Sequence, residues 1–223
     1  MSEWWTYELS DFLLFSERVY VRLLELHNGA LWPAQIGTLI LGCAMLYALH
    51  GRARHGARLV PLALGALWVW IAWAFFWQRY ATINWAAPYV APVFAVQGIA
   101  LAALGARRGL LLPGSEDRSA SFLAALLMLA FCLFAYPLLA PALGRPLAAA
   151  EVFGITPDPT AAATLAILAM HRGSARWLLM MVPLAWSIVT GLTLWTMGAA
   201  EALVAPACAL AACVIAAACH RPA

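Results

Sequence analysis

Long apolar runs separated by short polar patches set the pattern of this chain. The runs are Leu31–His50, Leu59–Trp77, Trp85–Gly105, Ser119–Leu143, Phe153–Met170, Trp177–Met197 and Ala202–Cys219. Each is close to the length that an α-helix needs to cross a bilayer. They predict an all-α, polytopic membrane bundle of seven transmembrane helices over residues 31–223. Residues 1–30 are too polar to span. There Asp11, Arg18, Arg22 and Glu25 fall on one helical stripe, and Phe12, Phe15, Val19, Leu23 and Leu26 on another. Trp4, Trp5, Tyr7 and Tyr20 are residues of an aromatic belt. This segment is predicted to be an amphipathic helix, or two, lying in the interface, with Asn28-Gly29 as a C-cap.

Composition removes the soluble alternative. The 223 residues are 65% hydrophobic and 10% charged, where a soluble domain carries about 25% charge. So few charges cannot cover a water-facing surface, so the bilayer is the chain's first partner. Every basic residue is Arg, and Ala is abundant, which suggests a GC-rich bacterial genome. The opening residues carry Glu3, Glu8 and Asp11 with no basic stretch before an apolar core, unlike a secretory signal. The net charge of +3 is no sign of nucleic-acid binding, because the Arg residues sit at the ends of the runs.

Those ends orient the bundle. With the N-terminus outside, Arg52, Arg54, Arg58, Arg107, Arg108, Arg118, Arg172, Arg176 and Arg221 fall inside, and Arg18, Arg22, Arg79 and Arg145 outside. The bias follows the positive-inside rule and predicts an N-out, C-in protein of the bacterial inner membrane. Three short echoes recur in order. Thr38–Leu41 resembles Thr164–Leu168, Val60–Ala63 resembles Val182–Ala185, and Val90–Pro92 resembles Val204–Pro206. They fit a 3+1+3 arrangement of parallel repeats, a transporter device, or chance matches in a sequence rich in these residues.

Two polar patches are the candidate chemistry, and both are expected at the outer face. The first is Trp77-Gln78-Arg79-Tyr80-Ala81-Thr82-Ile83-Asn84-Trp85. Arg79 reads either as a snorkelling belt anchor or as the cation of a ligand site, with Gln78, Tyr80, Thr82 and Asn84 as hydrogen-bonding neighbours and Trp77 and Trp85 as walls. The second is Thr156-Pro157-Asp158-Pro159-Thr160. Asp158 reads as a cap on a helix opened by Pro159. It reads equally as a carboxylate at the start of a half-length helix inside the membrane. The joint expectation is that Arg79 and Asp158, with Thr156, face one shared cavity.

Other residues are read more plainly. Trp70, Trp73 and Trp77 share a helical face, for packing or for a ring-stacking pocket. His27, His50, His55, His171 and His220 fall at segment ends, which argues against paired haem ligands. No cofactor is otherwise indicated. Cys43, Cys132, Cys208, Cys213 and Cys219 have spacings unlike a metal or redox motif. No nucleophile–base pair marks a catalytic residue.

A resemblance is carried by Ser2-Glu3-Trp4-Trp5-Thr6-Tyr7 with Ser10-Asp11-Phe12-Leu13, by Trp77–Trp85 with Ala86-Ala87, and by Phe153–Thr160. These are similar to an uncharacterised family of bacterial multi-pass membrane proteins, over nearly the whole chain. The family is a domain of unknown function, so the resemblance implies membrane location and no activity. Glu17 departs from the Pro expected after Ser16.

The leading functional expectation is a small-molecule transporter or facilitator with an outer-side cavity. Prolines in the runs (Pro33, Pro61, Pro159, Pro183) would free backbone groups and permit bending. The rival is an accessory or assembly subunit of a membrane complex. It would use the small residues Ala205, Ala209, Ala212 and Ala216 against a partner helix. An intramembrane enzyme ranks last.

Overall fold

The computed structural model describes residues 15–51, 56–106, 119–171 and 175–219. Asp11, Phe12 and the Trp/Tyr-rich head therefore lie outside the described residues, as do His55 and His220. The described residues are all-α. Helix α1 (Glu17–Leu31) precedes α2 (Ala34–His50), α3 (Gly56–Ile71) and α4 (Ala87–Ala106). Then come α5 (Ala120–Ala130), the short α6 (Leu139–Ala142), α7 (Pro157–Ala169), α8 (Ala175–Thr196) and α9 (Val204–Ala218). A π turn, Ala72–Trp77, prolongs α3, and another, Phe131–Ala135, prolongs α5.

A helix lies in each of the seven apolar runs. By length and composition, four described segments could cross a membrane: Arg58–Thr82, Ala87–Leu104, Ala120–Ala142 and Ala175–Thr196. A fifth is added if α1 and α2, bent by 86° at their junction, count as one. Helices α7 and α9 are shorter. These apolar helices suit a membrane-embedded protein.

Helix α7 is the axis of the bundle. All 13 of its residues are buried, and α3, α5, α8 and α9 all pack on it. Its alanines at 161, 162, 163, 166 and 169 present little bulk, so neighbouring backbones can approach closely. At 1.5 Å per residue it is about 20 Å long, short of a bilayer core of about 30 Å. The fifth run admits a full span kinked at Pro157 or a half-length helix, and the half-length helix is the one observed. The triplets α2–α4 and α7–α9 are packed differently. Helix α7 packs on α9, but α2 makes no comparable contact with α4, and most of its residues are at least partly exposed.

Helices α3 and α4 approach closely at two glycines. A Cβ on Gly65 would lie 2.5 Å from the Gly98 carbonyl oxygen, and a Cβ on Gly98 2.6 Å from that of Gly65. Neither carbonyl can yield without moving its helix. Gly98→Ala is expected to lower stability by about 1–3 kcal/mol, as overpacking does. Thermal unfolding in mild detergent measures it, and an unchanged midpoint would show that the pair can slide apart freely.

Helix α1 is amphipathic, but its buried stripe differs from the expected one. Tyr20, Leu23, Leu24, His27 and Asn28 face inward, at spacings of three and four. Val19 and Leu26 are exposed, 41% and 47%, on the side of Arg18 and Arg22. Hydrogen bonds turn the helix this way. Asn28 Nδ2 donates to the carbonyls of Ala148 and Ala150, both at 2.8 Å. His27 Nε2 lies 3.1 Å from the Ile155 carbonyl. The expected C-cap at Asn28-Gly29 is absent, because α1 continues to Leu31. It starts at Glu17 after Ser16, in the first turn of a helix, where a carboxylate is favoured.

Candidate functional site

The entry to α7 is built from its threonines and one glycine. Gly154 has φ +76°, and a Cβ there would meet Thr38 at 2.9 Å, so both the turn and the space require glycine. Its N–H donates to Thr160 Oγ1 at 2.8 Å, and that hydroxyl donates to the Thr156 carbonyl, also at 2.8 Å. Thr164 Oγ1 donates to the Thr160 carbonyl at 2.7 Å and accepts from Trp68 Nε1 at 2.8 Å. The first turn of α7 is thus held to its own approach loop and to α3. Proline suits this position, since a helix's first N–H groups have no internal partner.

Asp158 stands in that first turn and is 1% exposed. It does not cap the helix, because Thr156 occupies the N-cap and α7 begins at Pro157. Its two oxygens are taken by α8 instead. Trp186 Nε1 donates to Oδ1 at 2.7 Å, and Thr190 Oγ1 donates to Oδ2 at 2.8 Å. The helix dipole favours a negative charge here.

A small cavity of about 10 Å³ adjoins this group, lined by Tyr20, Phe75, Tyr80, Trp186, Thr190, Thr193 and Leu194. That is room for about one water. Aromatic rings crowd this region. Phe76 meets Trp186 edge-on at 5.0 Å, and Phe75 lies 5.5 Å from Tyr80. Tyr20 of α1 meets Tyr80 at 6.2 Å.

Two further buried acids share this end of the bundle. Glu151, in the approach loop, accepts a hydrogen bond from the Tyr20 hydroxyl at 3.1 Å. Glu201 accepts from Arg145 at 2.5 Å, and both side chains are nearly buried. Burial pushes the Glu151 carboxyl well above its ordinary value, and the nearby Asp158 pushes it further. Arg145 and the Tyr20 hydrogen bond oppose this. A carboxyl raised on folding holds its proton more tightly in the folded state. Its contribution is therefore present below the ordinary carboxyl range and lost as pH rises through the raised value. Thermal unfolding from acidic to alkaline buffer should show this loss, and Glu151→Gln should flatten it. An unchanged slope in that variant would assign the pH dependence to another group.

The residues expected to form one site divide into three environments. Tyr80 lines the small cavity, Asp158 is held by Trp186 and Thr190 of its wall, and Thr156 is buried at the start of α7, its hydroxyl donating to the Val152 carbonyl. Arg79 is half-buried and lines a separate cleft with Arg18, Arg22 and Thr82. No ion pair joins it to Asp158 among the described residues. Trp77, Gln78 and Trp85 face outward, and Asn84 caps the start of α4 by accepting from the Ala86 N–H at 2.9 Å. Arg79 thus faces the outward cleft while Asp158 is held by residues of the small cavity.

Tyr20, Trp186 and Thr190 belong to the acid cluster without having been expected there, while Glu151, Glu201 and Arg145 were expected only on the same side as Asp158. One signal was available for α8. Pro183, Trp186, Ser187 and Thr190 form a stripe at spacings of three and four on an otherwise apolar helix, and all four are buried.

Several other expectations change. Trp73 and Trp77 are more than half exposed, so that face suits a belt and not a pocket. His27 is buried in α1 against Phe75, and so is not a loop residue. Ala205, Ala209, Ala212 and Ala216 are buried within this chain, where α9 packs on α5, α7 and α8. They are not open to a partner helix. No three metal-ligating side chains gather closely enough to hold an ion among the described residues.

A family model matches residues 17–222, and its description is "Family of unknown function (DUF6064)". No curated protein and no solved structure matches the chain.

Proposed function

We propose a reading for a chain that belongs to the DUF6064 family, of unknown function: a proton-linked carrier of small molecules in the bacterial inner membrane. In this reading all seven apolar helices are embedded, with the N-terminus outside, so the acid cluster lies on the outer side. The observation that carries it is Asp158. It is a carboxylate buried at the N-terminus of a half-length helix that the bundle encloses on every side. Ionisable groups inside membranes are costly, and they mark ion and proton pathways. Half-helix termini near mid-membrane are where carriers hold substrates and ions.

The cluster has a composition suited to protons. Glu151, Asp158 and Glu201 are three buried acids, with Arg145 paired to one of them. A proton on Glu151 or Asp158 relieves the repulsion between them. The π turns that carry Phe75 and Phe76 on α3, and Cys132 and Leu133 on α5, border this region. Such turns recur at functional sites. In this reading the narrow cavity represents an occluded form. Helix α1, held by His27 and Asn28, is the element whose displacement would open it outward.

The test is proton movement in liposomes containing the purified protein and an internal pH dye. Amino acids, sugars and small organic cations are added in turn under an inward proton gradient. At least one class should accelerate acidification with the natural protein and leave Asp158→Asn at the rate of empty liposomes. No acceleration by any class, together with a stoichiometric protein partner in native membranes, would favour the accessory subunit instead.

A further inference from the structure

The outward cleft beneath α1 carries an inference independent of the carrier reading. It has a volume of about 300 Å³. One wall is α1, with Arg18, Val19, Arg22, Leu23 and Leu26. The other is the turn after α3, with Arg79, Thr82 and Ile83.

Its charge is only partly compensated. Three guanidinium groups line the cleft, and among the described residues the acid paired with one of them is Glu25, held by Arg22 at 2.6 Å. Arg79 has a buried Nε–H without a partner. A buried N–H without an acceptor is unfavourable, so an acceptor that reached it would be stabilising. The apolar part is equally unusual. Val19 and Leu26 are 41% and 47% exposed on the same helix face, interleaved with the arginines. Trp77, Trp85 and Tyr89 stand exposed at this end of α3 and α4, which is where aromatic residues mark the headgroup level of a bilayer.

We infer that this cleft binds the phosphate of an amphiphile, with Arg18, Arg22 and Arg79 around the anion and Val19, Leu26 and Ile83 along its apolar chain. Guanidinium groups match phosphate oxygens with parallel hydrogen bonds. Thr82, whose hydroxyl donates to the Arg79 carbonyl at 2.7 Å, keeps the Arg79 turn in place. The apolar wall singles out a phospholipid headgroup over a soluble phosphate ester.

The experiment uses the full chain in a non-ionic detergent. Binding is followed by native mass spectrometry and by the shift in thermal midpoint. The probes are dioleoyl phosphatidylglycerol, inorganic phosphate, and dioleoylglycerol without phosphate. Phosphatidylglycerol should bind in defined stoichiometry, and dioleoylglycerol should not. Arg79→Gln should weaken it about tenfold, the equivalent of one charge-assisted hydrogen bond. Arg18→Gln, at an exposed position that leaves the fold intact, should weaken it in the same direction. Strong binding of the lipid with weak binding of phosphate is the expected result. Equal binding of the two would overturn the assignment of Val19, Leu26 and Ile83 to an apolar chain. Dioleoylglycerol binding as well as phosphatidylglycerol, or both Arg variants binding like the natural protein, would overturn the anion cleft. Arg79 would then be a belt anchor only.

Discussion

Arg145→Ala is expected to destabilise the protein by about 3–5 kcal/mol, the cost of leaving a buried charge without its partner. Arg145 lies just before the loop that leads to α7, and Glu201 just before α9. Their contact, at 2.5 Å, ties these two connections together. The side chains are 12% and 7% exposed, so solvent screens the pair weakly. Removing the guanidinium strands the Glu201 carboxylate. Removing both groups, in Arg145→Ala with Glu201→Ala, should recover most of the loss, because replacing a buried pair with apolar groups is often close to neutral. Unfolding by a denaturing detergent, followed by tryptophan fluorescence, gives the four corners of the cycle. A single-variant cost below about 1 kcal/mol would class the pair with exposed ion pairs. A second consequence separates this from simple misfolding. Arg145 also restrains the upward shift of Glu151. In the single variant, the pH at which stability falls should therefore move upward.

The positions of the helices were legible because membrane burial demands long apolar runs, and those runs are local in sequence. The half-length helix was legible only as one of two forms of the fifth run, since two prolines in Thr156-Pro157-Asp158-Pro159-Thr160 admit either a helix start or a kink. The orientation of α1 was not. Periodicity counts apolar residues, but His27 and Asn28 are buried because carbonyls more than a hundred residues away receive them. The pairing of Asp158 with α8 was hidden for the same reason. A single sequence shows which residues share a helix face, not which helix that face meets. The directions of the patch were not legible either: adjacent residues of one turn, Arg79 and Tyr80, line different cavities. Chain alternation placed Arg79 and Asp158 at one end of the bundle and could say nothing of what stood between them.

Asp158 is the other position where a large effect is expected, and the choice of replacement separates structure from function. Asp158→Ala removes the acceptor for Trp186 Nε1 and for Thr190 Oγ1 at once. A buried donor left unpaired costs about 1–3 kcal/mol, so the two together give about 2–6 kcal/mol. The threonine can recover part of this by turning its hydroxyl to a carbonyl one turn back, as Ser187 does with Pro183. The indole has no such freedom, because Phe76 and Phe94 hold its ring edge-on at 5.0 Å and 5.3 Å. Asp158→Asn behaves differently. Its oxygen can still accept from Trp186, and its amide can donate to the Thr190 hydroxyl, which accepts as well as donates. The asparagine variant should therefore keep most of the stability while losing the proton. Trp186→Phe supplies the third comparison. It removes the indole donor and leaves Thr190 to hold the carboxylate, so it should cost less than the alanine variant. The readout is the detergent-unfolding midpoint of each variant beside its rate of proton movement in liposomes. If the asparagine variant is as unstable as the alanine one, the carboxylate matters for its charge in folding. If it is stable and still moves protons, Asp158 is a structural acceptor and the proton site lies elsewhere in the cluster, with Glu151 the next residue to replace.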